Sequence, residues 1–206
     1  MWLYGNAGCG KSILSSTIIE DLKSKDTLGC LTYFYFDFND SGKQTLENLI
    51  RSLVSQLYAR SKSWSALEGL YDTHDDGCSQ PSCDSMTKTL IAMISEIQDM
   101  WIVLDALDES TTRPALLTWL QGMVSNPVGS VHLLVTSRNE HDIRSEIDLW
   151  AAPEDCVAIQ SDLIAPDIQT YTESRIEKDR GLQRWRSRPD IQESIKISIL
   201  NKADGM

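Results

Sequence analysis

Apolar residues crowd into four short runs: Trp2-Leu3-Tyr4, Cys30 to Phe36, Trp101-Ile102-Val103-Leu104 and Val131-His132-Leu133-Leu134-Val135. Runs this short and nearly continuous predict β-strands covered on both faces. Between them the apolar period lengthens to that of a helix. Ile13, Leu14, Ile18, Ile19 and Leu22 fall on one stripe, and Leu46, Leu49, Ile50, Leu53, Val54 and Leu57 on a fuller one. Leu90, Ile91, Ile94 and Ile97 precede the third strand, and Leu116, Leu117, Leu120, Met123 and Val124 precede the fourth; both groups have helical spacing. Strands alternating with helices predict an α/β fold, a parallel sheet with helices on both faces. The polar, turn-rich stretch from Tyr71 to Asp84 predicts a surface loop.

After about residue 160 the character changes and no further strand is evident. Ile168, Tyr171 and Ile176, then Ile191, Ile195 and Ile199, predict two or more helices parted by the region of Gly181 and Pro189. The expected organisation is therefore a main domain over 1–150 and the start of a small helical subdomain over 151–206. The first strand has only Trp2, Leu3 and Tyr4 before a glycine-rich stretch, where a central strand usually has about 5 to 6 residues. The last residues stop within or just beyond a helix, so the sequence reads as a piece of a longer chain.

Composition narrows the partners. With 19 Lys and Arg against 30 Asp and Glu, the net charge is −11, which works against any sequence-independent grip on DNA or RNA. Arg175, Lys178, Arg180, Arg184, Arg186 and Arg188 form a basic cluster, but Glu173, Glu177 and Asp179 are interspersed with it, as on a solvated helix face. No run approaches the ~20 apolar residues of a membrane span, and no signal-peptide pattern opens the chain. The expectation is a cytoplasmic protein with neither membrane nor nucleic acid as partner. Cys9, Cys30, Cys78, Cys83 and Cys156 are odd in number and scattered, which suits reduced thiols.

The chemistry concentrates at Gly5-Asn6-Ala7-Gly8-Cys9-Gly10-Lys11-Ser12, which follows an apolar strand and opens an amphipathic helix. In that context the glycines permit a loop whose backbone N–H groups face phosphate oxygens at a helix N-terminus. Lys11 then reaches the β- and γ-phosphates, and the Ser12 hydroxyl is set to ligand Mg²⁺. Such a site needs a carboxylate from another strand. Trp101-Ile102-Val103-Leu104-Asp105 supplies one: Asp105 is the candidate metal-supporting acid, a plain turn acid being the alternative. Asp108 and Glu109 follow closely enough to orient an attacking water, although Asp108 also suits a helix N-cap. The fourth strand ends in Thr136-Ser137-Arg138, where Arg138 either touches a γ-phosphate or is a surface arginine. His132 reads as a core or face residue of its strand. Cys9 reads as a small spacer, with reactivity toward oxidants as the other possibility.

These residues carry a family resemblance. Gly5 to Ser12, Asp105-Ala106-Leu107-Asp108-Glu109 and Leu133-Leu134-Val135-Thr136-Ser137-Arg138 resemble the NACHT domain of the STAND class of signalling NTPases. The nephrocystin-type NACHT of large fungal proteins, which often continue into ankyrin or WD repeats, is the nearest flavour. Phe34-Tyr35-Phe36-Asp37-Phe38 and the segment Leu49 to Leu57 are similar to the second strand and following helix of that group. The resemblance implies that Lys11 and Ser12 bind phosphate and Mg²⁺, Asp105 supports the metal, Asp108 and Glu109 are the hydrolytic acids, and Arg138 is the sensor. It also implies ATP or ADP as ligand, although the residues themselves leave GTP open.

The function expected from this is a nucleotide-binding signalling switch with slow hydrolysis, coupled to conformational change and to self-association through flanking regions. Two alternatives stand beside it. One is a P-loop ATPase or kinase with real turnover, and the other a truncated scaffold that no longer hydrolyses.

Overall fold

The computed structural model describes residues 1–25, 30–60, 65–125, 129–159, 170, 173–176, 178, 181, 185 and 188–203. The chain divides into two units, one of Met1–Tyr4 and Gly10–Val157, the other of Gly5–Cys9 and Ala158–Met206. In order the elements are β1 (Trp2–Tyr4), α1 (Lys11–Ser24), β2 (Cys30–Tyr35), α2 (Leu46–Arg60), α3 (Ser65–Asp72), α4 (Cys83–Ser95), β3 (Asp99–Asp105), α5 (Arg113–Ser125), β4 (Ser130–Ser137), α6 (His141–Ile147), β5 (Cys156–Ala158) and α7 (Pro189–Ala203).

The strands form one sheet in the order β2-β3-β4-β1-β5. β2 with β3, β3 with β4, and β4 with β1 all pair in parallel. The register aligns their C-terminal ends. Tyr35 lies opposite Asp105, Leu104 opposite Val135, and Tyr4 opposite Ser137. The polar residues that end β3 and β4 therefore meet at one edge, where a parallel sheet opens to ligands. Behind that edge the strands are apolar on both sides: Met100, Ile102, Val103 and Leu104 of β3 are all buried. The indole N–H of Trp2 donates to Ser137 Oγ at 2.8 Å, tying β1 to the end of β4.

The four predicted strands are present, and β5 is an addition the sequence pattern did not signal. Three residues, Cys156-Val157-Ala158, are too short a run to stand out from their surroundings. α2 buries Leu49, Ile50, Leu53, Val54 and Leu57, the stripe expected of it. α1 departs from expectation. Ile13 is 72% and Leu14 39% exposed, and the helix buries Ser15, Ile19 and Leu22 instead. Ser12 and Ser15 share the sheet-facing side of α1 with Ile19 and Leu22, at helical spacing, which turns Ile13 and Leu14 away from the core. In α5, Trp119 is buried while Val124 is exposed. The polar stretch after α3 is shorter than expected, because α4 begins at Cys83, with Ser82 Oγ accepting from Ser85 N at 3.1 Å.

His132 lies on an exposed part of β4, stacked on Trp101 at 4.3 Å between ring centroids, with Nε2 2.8 Å from Asp99. That places it near the strand end opposite to Asp105. Between β2 and α2 the chain makes a short 3-10 turn at Ser41–Lys43 and is then stitched to the segment before α5. The Gln44 carbonyl accepts from Thr111 N at 2.8 Å, Thr111 Oγ1 at 3.1 Å and Ser110 Oγ at 3.2 Å. Thr112 Oγ1 accepts in turn from Leu46 N at 2.8 Å. A cavity of about 620 Å³ is lined by residues that include Arg51 and Tyr58 of α2, Leu67 and Tyr71 of α3, and Pro81. No residue of the phosphate-loop motif, nor Asp105, Asp108 or Arg138, is among those lining it.

In the second unit Glu173 to Ile176 are helical, Ile176 is buried, and Lys196 of α7 pairs with Glu173 at 2.5 Å. Ile168 and Tyr171, with Arg180, Arg184 and Arg186 of the basic cluster, lie outside the described residues. Among the described residues no helix is long and apolar enough to cross a membrane.

Leu53 is fully buried within the α2 stripe. Leu53→Ala is expected to remove about 2–5 kcal/mol of stability, seen as a lower urea midpoint at unchanged slope.

Candidate functional site

Asp105 ends β3 with 3% of its surface exposed. A carboxylate so deeply placed needs donors, since an unpaired buried charge is strongly unfavourable. Three hydroxyls supply them. Oδ1 accepts from Ser15 Oγ and from Thr136 Oγ1, each at 2.7 Å, and Oδ2 accepts from Ser12 Oγ at 2.5 Å. Ser15 and Thr136 are wholly buried. Thr136 can reach because β4 lies between β1 and β3. Ser15 can reach because it lies one helical turn beyond Ser12, on the same face of α1. The Thr136 hydroxyl oxygen also accepts from Ala106 N at 3.0 Å. Ala106 itself adopts a left-handed conformation, φ 61° and ψ 55°. That conformation is uncommon for a residue with a Cβ, and here it turns the chain sharply at the strand end, so that Leu107 enters the core and Asp108 comes back toward β4.

Asp108 is also buried, with 8% exposed, but its partner is a cation. Oδ1 accepts from Arg138 N at 2.9 Å, and Oδ2 is 3.1 Å from Arg138 Nε. Its main-chain carbonyl accepts from Nε of Arg113 at 3.1 Å and also from Nη2 of the same guanidinium. Nη1 of Arg113 then reaches Glu140 Oε2 at 2.5 Å and Asp142 Oδ2 at 3.1 Å. Burial alone would lower the Arg113 pKa, but the bonds to Asp142 and Glu140 outweigh it and push it up. Burial alone would likewise raise Asp142, and Arg113 overrides it, holding the carboxyl below its ordinary value. Glu109 is half-buried, and its Oε2 accepts from Phe38 N at 2.9 Å. α5 begins only at Arg113, and the Asp108 carboxylate turns to Arg138, not to the amides of that helix.

The phosphate-loop motif falls in both units. Gly10 precedes α1 at φ 84°, where a side chain would be strained, and its carbonyl accepts from Leu14 N at 2.9 Å. Lys11 and Ser12 open the helix. In the second unit Gly5, Asn6, Ala7, Gly8 and Cys9 form a turn with Cys9 N 3.4 Å from Asn6 O. A Cβ added to Gly5 would lie 2.9 Å from the Ile159 carbonyl oxygen and 2.8 Å from Cys9 Sγ. A close backbone approach therefore requires glycine there.

A strand leading into such a loop, a second strand ending in a buried Asp beside the Ser of that loop, and a third lodged between them form the frame of a P-loop nucleotide fold. Residues 1–138 match the family described as Nephrocystin 3, N-terminal. The chain belongs to this nephrocystin 3 N-terminal family. Among curated proteins, vegetative incompatibility protein HET-E-1 of Podospora anserina is 23% identical over 186 residues, covering 86% of this chain and 14% of its own. The chain thus spans about 14% of the length of that relative. Among solved structures, the Aeropyrum pernix ORC1 protein in complex with DNA superposes with a TM-score of 0.58 at 16% identity, covering 86% of this chain and 43% of that one. That likeness shows the fold alone. The NACHT-like P-loop NTPase domain read from the motifs stands.

Sequence reasoning passed over Ser15, Thr136 and Arg113. For Ser15 the signal was present, since it follows Ser12 by three positions in a helix. Thr136 alternates with Val135 at the end of a strand whose last residues were read only for Arg138. No local pattern marks Arg113, whose carboxylate partners lie in another strand-to-helix turn.

Ser15→Ala and Thr136→Val each strip a donor from a buried carboxylate oxygen. Each is expected to lower unfolding free energy by about 1–3 kcal/mol in chemical denaturation. Because the folded-state pKa of Asp142 lies below its unfolded value of about 3.9, its pairing with Arg113 supports the fold above that pH and is lost as pH falls through the folded value. A carboxyl NMR titration is expected to find Asp142 below the ordinary range, and Arg113→Ala to return it there.

Proposed function

We propose that this family member is the nucleotide-gated switch of a larger signalling protein. It binds ATP or ADP together with Mg²⁺, hydrolyses ATP slowly, and couples the change of occupant to a change of conformation and of self-association. The observation that carries the reading is the 2.5 Å contact between Ser12 Oγ and Asp105 Oδ2. It joins the residue after the motif lysine to the acid at the end of β3, while Ser15 and Thr136 fix the other carboxylate oxygen.

A hydroxyl and one carboxylate oxygen side by side are hard oxygen donors of the kind Mg²⁺ takes, so the residues fit that ion, with Ser12 and Asp105 as its holders. When bound there, Mg²⁺ would neutralise charge on the β- and γ-phosphates. Lys11 contributes a point charge to the same phosphates. The backbone of Gly5, Asn6, Ala7, Gly8, Cys9 and Gly10 offers amide donors, an assignment that rests on the motif. Arg138 senses the terminal phosphate. Asp108 and Glu109 are the acids that orient water. That both Asp108 oxygens are engaged by Arg138 favours slow hydrolysis over steady turnover, since an acid already paired is a poor base until its partner leaves. In this reading residues 1–150 form the nucleotide domain and 151–206 open a helical subdomain.

A switch requires that nucleotide bind its two forms unequally. The name of HET-E-1 ties that relative to vegetative incompatibility, a role consistent with a signalling module. The ORC1 protein of similar fold was solved with DNA, but a net charge of −11 argues against carrying that partner over.

Equilibrium binding of a fluorescent ATP analogue, with and without Mg²⁺ and competed by ADP and GTP, tests the reading. Lys11→Ala is expected to weaken binding by about 10- to 100-fold, and Asp105→Asn to abolish the gain from Mg²⁺. Equal binding by wild type and folded Lys11→Ala would remove the phosphate site. Turnover at or above ~1 s⁻¹ would replace the switch with an enzyme.

A further inference from the structure

Asp108 is held in two separate ways. Its carboxylate takes Arg138 at N and Nε, whereas its main-chain carbonyl is taken by Arg113. The other arm of Arg113 passes to Glu140 and Asp142, just beyond Arg138 on the same turn. These contacts close a ring that runs from Arg113 to Asp108, across to Arg138, along the backbone to Glu140, and back to Arg113. The side chain of Arg113 is 26% exposed and that of Arg138 49%. Among the described residues, the terminal nitrogens of Arg138 are the donors of the two guanidinium groups for which the ring supplies no acceptor.

The separation has a physical consequence. When an anion draws the Arg138 guanidinium from Oδ2, the Arg138 amide still holds Oδ1. The grip of Arg113 on the carbonyl adds a tie that does not depend on the guanidinium of Arg138 either, so the carboxylate can lose that partner while the loop stays in place. A guanidinium sets its donors on separate atoms, so Nε and Nη2 hold the carbonyl while Nη1 holds the carboxylates; a lysine would have to serve all three acceptors from one nitrogen.

We infer that Arg113 is a positioning residue for Arg138. It fixes the Asp108 backbone and the Glu140 side of the turn in register, so that Arg138 exchanges the Asp108 carboxylate for the terminal phosphate of a nucleoside triphosphate without a shift of either loop. The phosphate half of this inference rests on the function proposed above; the positioning half does not.

Two measurements on the full chain test it, with Arg113→Ala, Arg113→Lys, Arg138→Ala and the Arg113→Ala/Arg138→Ala double variant. First, hydrogen exchange at the Arg138 amide without nucleotide is expected to quicken about tenfold or more in Arg113→Ala, with little rescue by lysine. Should Arg113→Ala fail to fold, Glu140→Gln, which weakens the same anchor, is expected to quicken it as well. Second, the affinity of a non-hydrolysable ATP analogue relative to ADP is expected to fall in Arg113→Ala by the same factor as in Arg138→Ala, and no further in the double variant. ADP affinity itself is expected to hold. Unchanged exchange in a folded variant overturns the positioning role. Additive losses, or equal loss of both nucleotides, overturn the route through Arg138. A wild-type chain that binds neither nucleotide defeats the proposed function and the phosphate half, and the exchange result then decides the positioning half by itself.

Discussion

A carboxylate with only 3% of its surface in contact with solvent sets the terms for everything at this edge of the sheet. Asp105 tolerates burial because α1 and β4 each bring hydroxyls to it. That requirement constrains the strand order, since Thr136 reaches Asp105 from the strand paired beside β3. It fixes register too, because a slip of one residue would turn Thr136 to the other face and place an apolar side chain against the charge. The apolar bulk of the strands supplies stability, whereas the hydroxyls select which arrangement of those strands is allowed.

The two buried aspartates differ in the company they keep. The donors that reach Asp105 from Ser12, Ser15 and Thr136 are neutral, and one of its oxygens holds a single serine. Asp108 meets Arg138 on both oxygens, the main-chain amide at Oδ1 and the guanidinium at Oδ2. A carboxylate steadied by neutral donors keeps its charge available to a metal cation, whereas one paired with arginine has its charge already met. The same residue type therefore meets two different environments three positions apart, and the left-handed turn at Ala106 separates them.

Much of this could be read from the chain before any coordinates. Continuous apolar runs marked β1 to β4, although the first half of β4 and alternate positions of β2 are only partly covered, and α2 was clear because it buries a full stripe. The motif residues from Gly5 to Ser12, with Asp105, Asp108, Glu109 and Arg138, were visible through spacing and resemblance. Legibility failed where structure depends on contacts distant in sequence. β5 is three residues that become a strand only beside β1. Ile13 and Leu14 share the α1 stripe by period yet lie exposed, because the face that meets the sheet carries Ser12 and Ser15, which an apolar pattern passes over. Arg113 finds its meaning 27 and 29 residues later, at Glu140 and Asp142.

The knot at Gln44 has reach beyond the edge where it lies. One carbonyl accepting three donors from Ser110 and Thr111, with Thr112 returning a bond to the first turn of α2, makes that turn and the segment after Glu109 a single joint. α2 is a rod of 15 residues, about 22 Å long at the rise of an α-helix. Its far portion carries Tyr58, part of the wall of the 620 Å³ cavity. The helix therefore joins the segment after Glu109, at its first turn, to the wall of that cavity near its last, so that one rigid lever spans both.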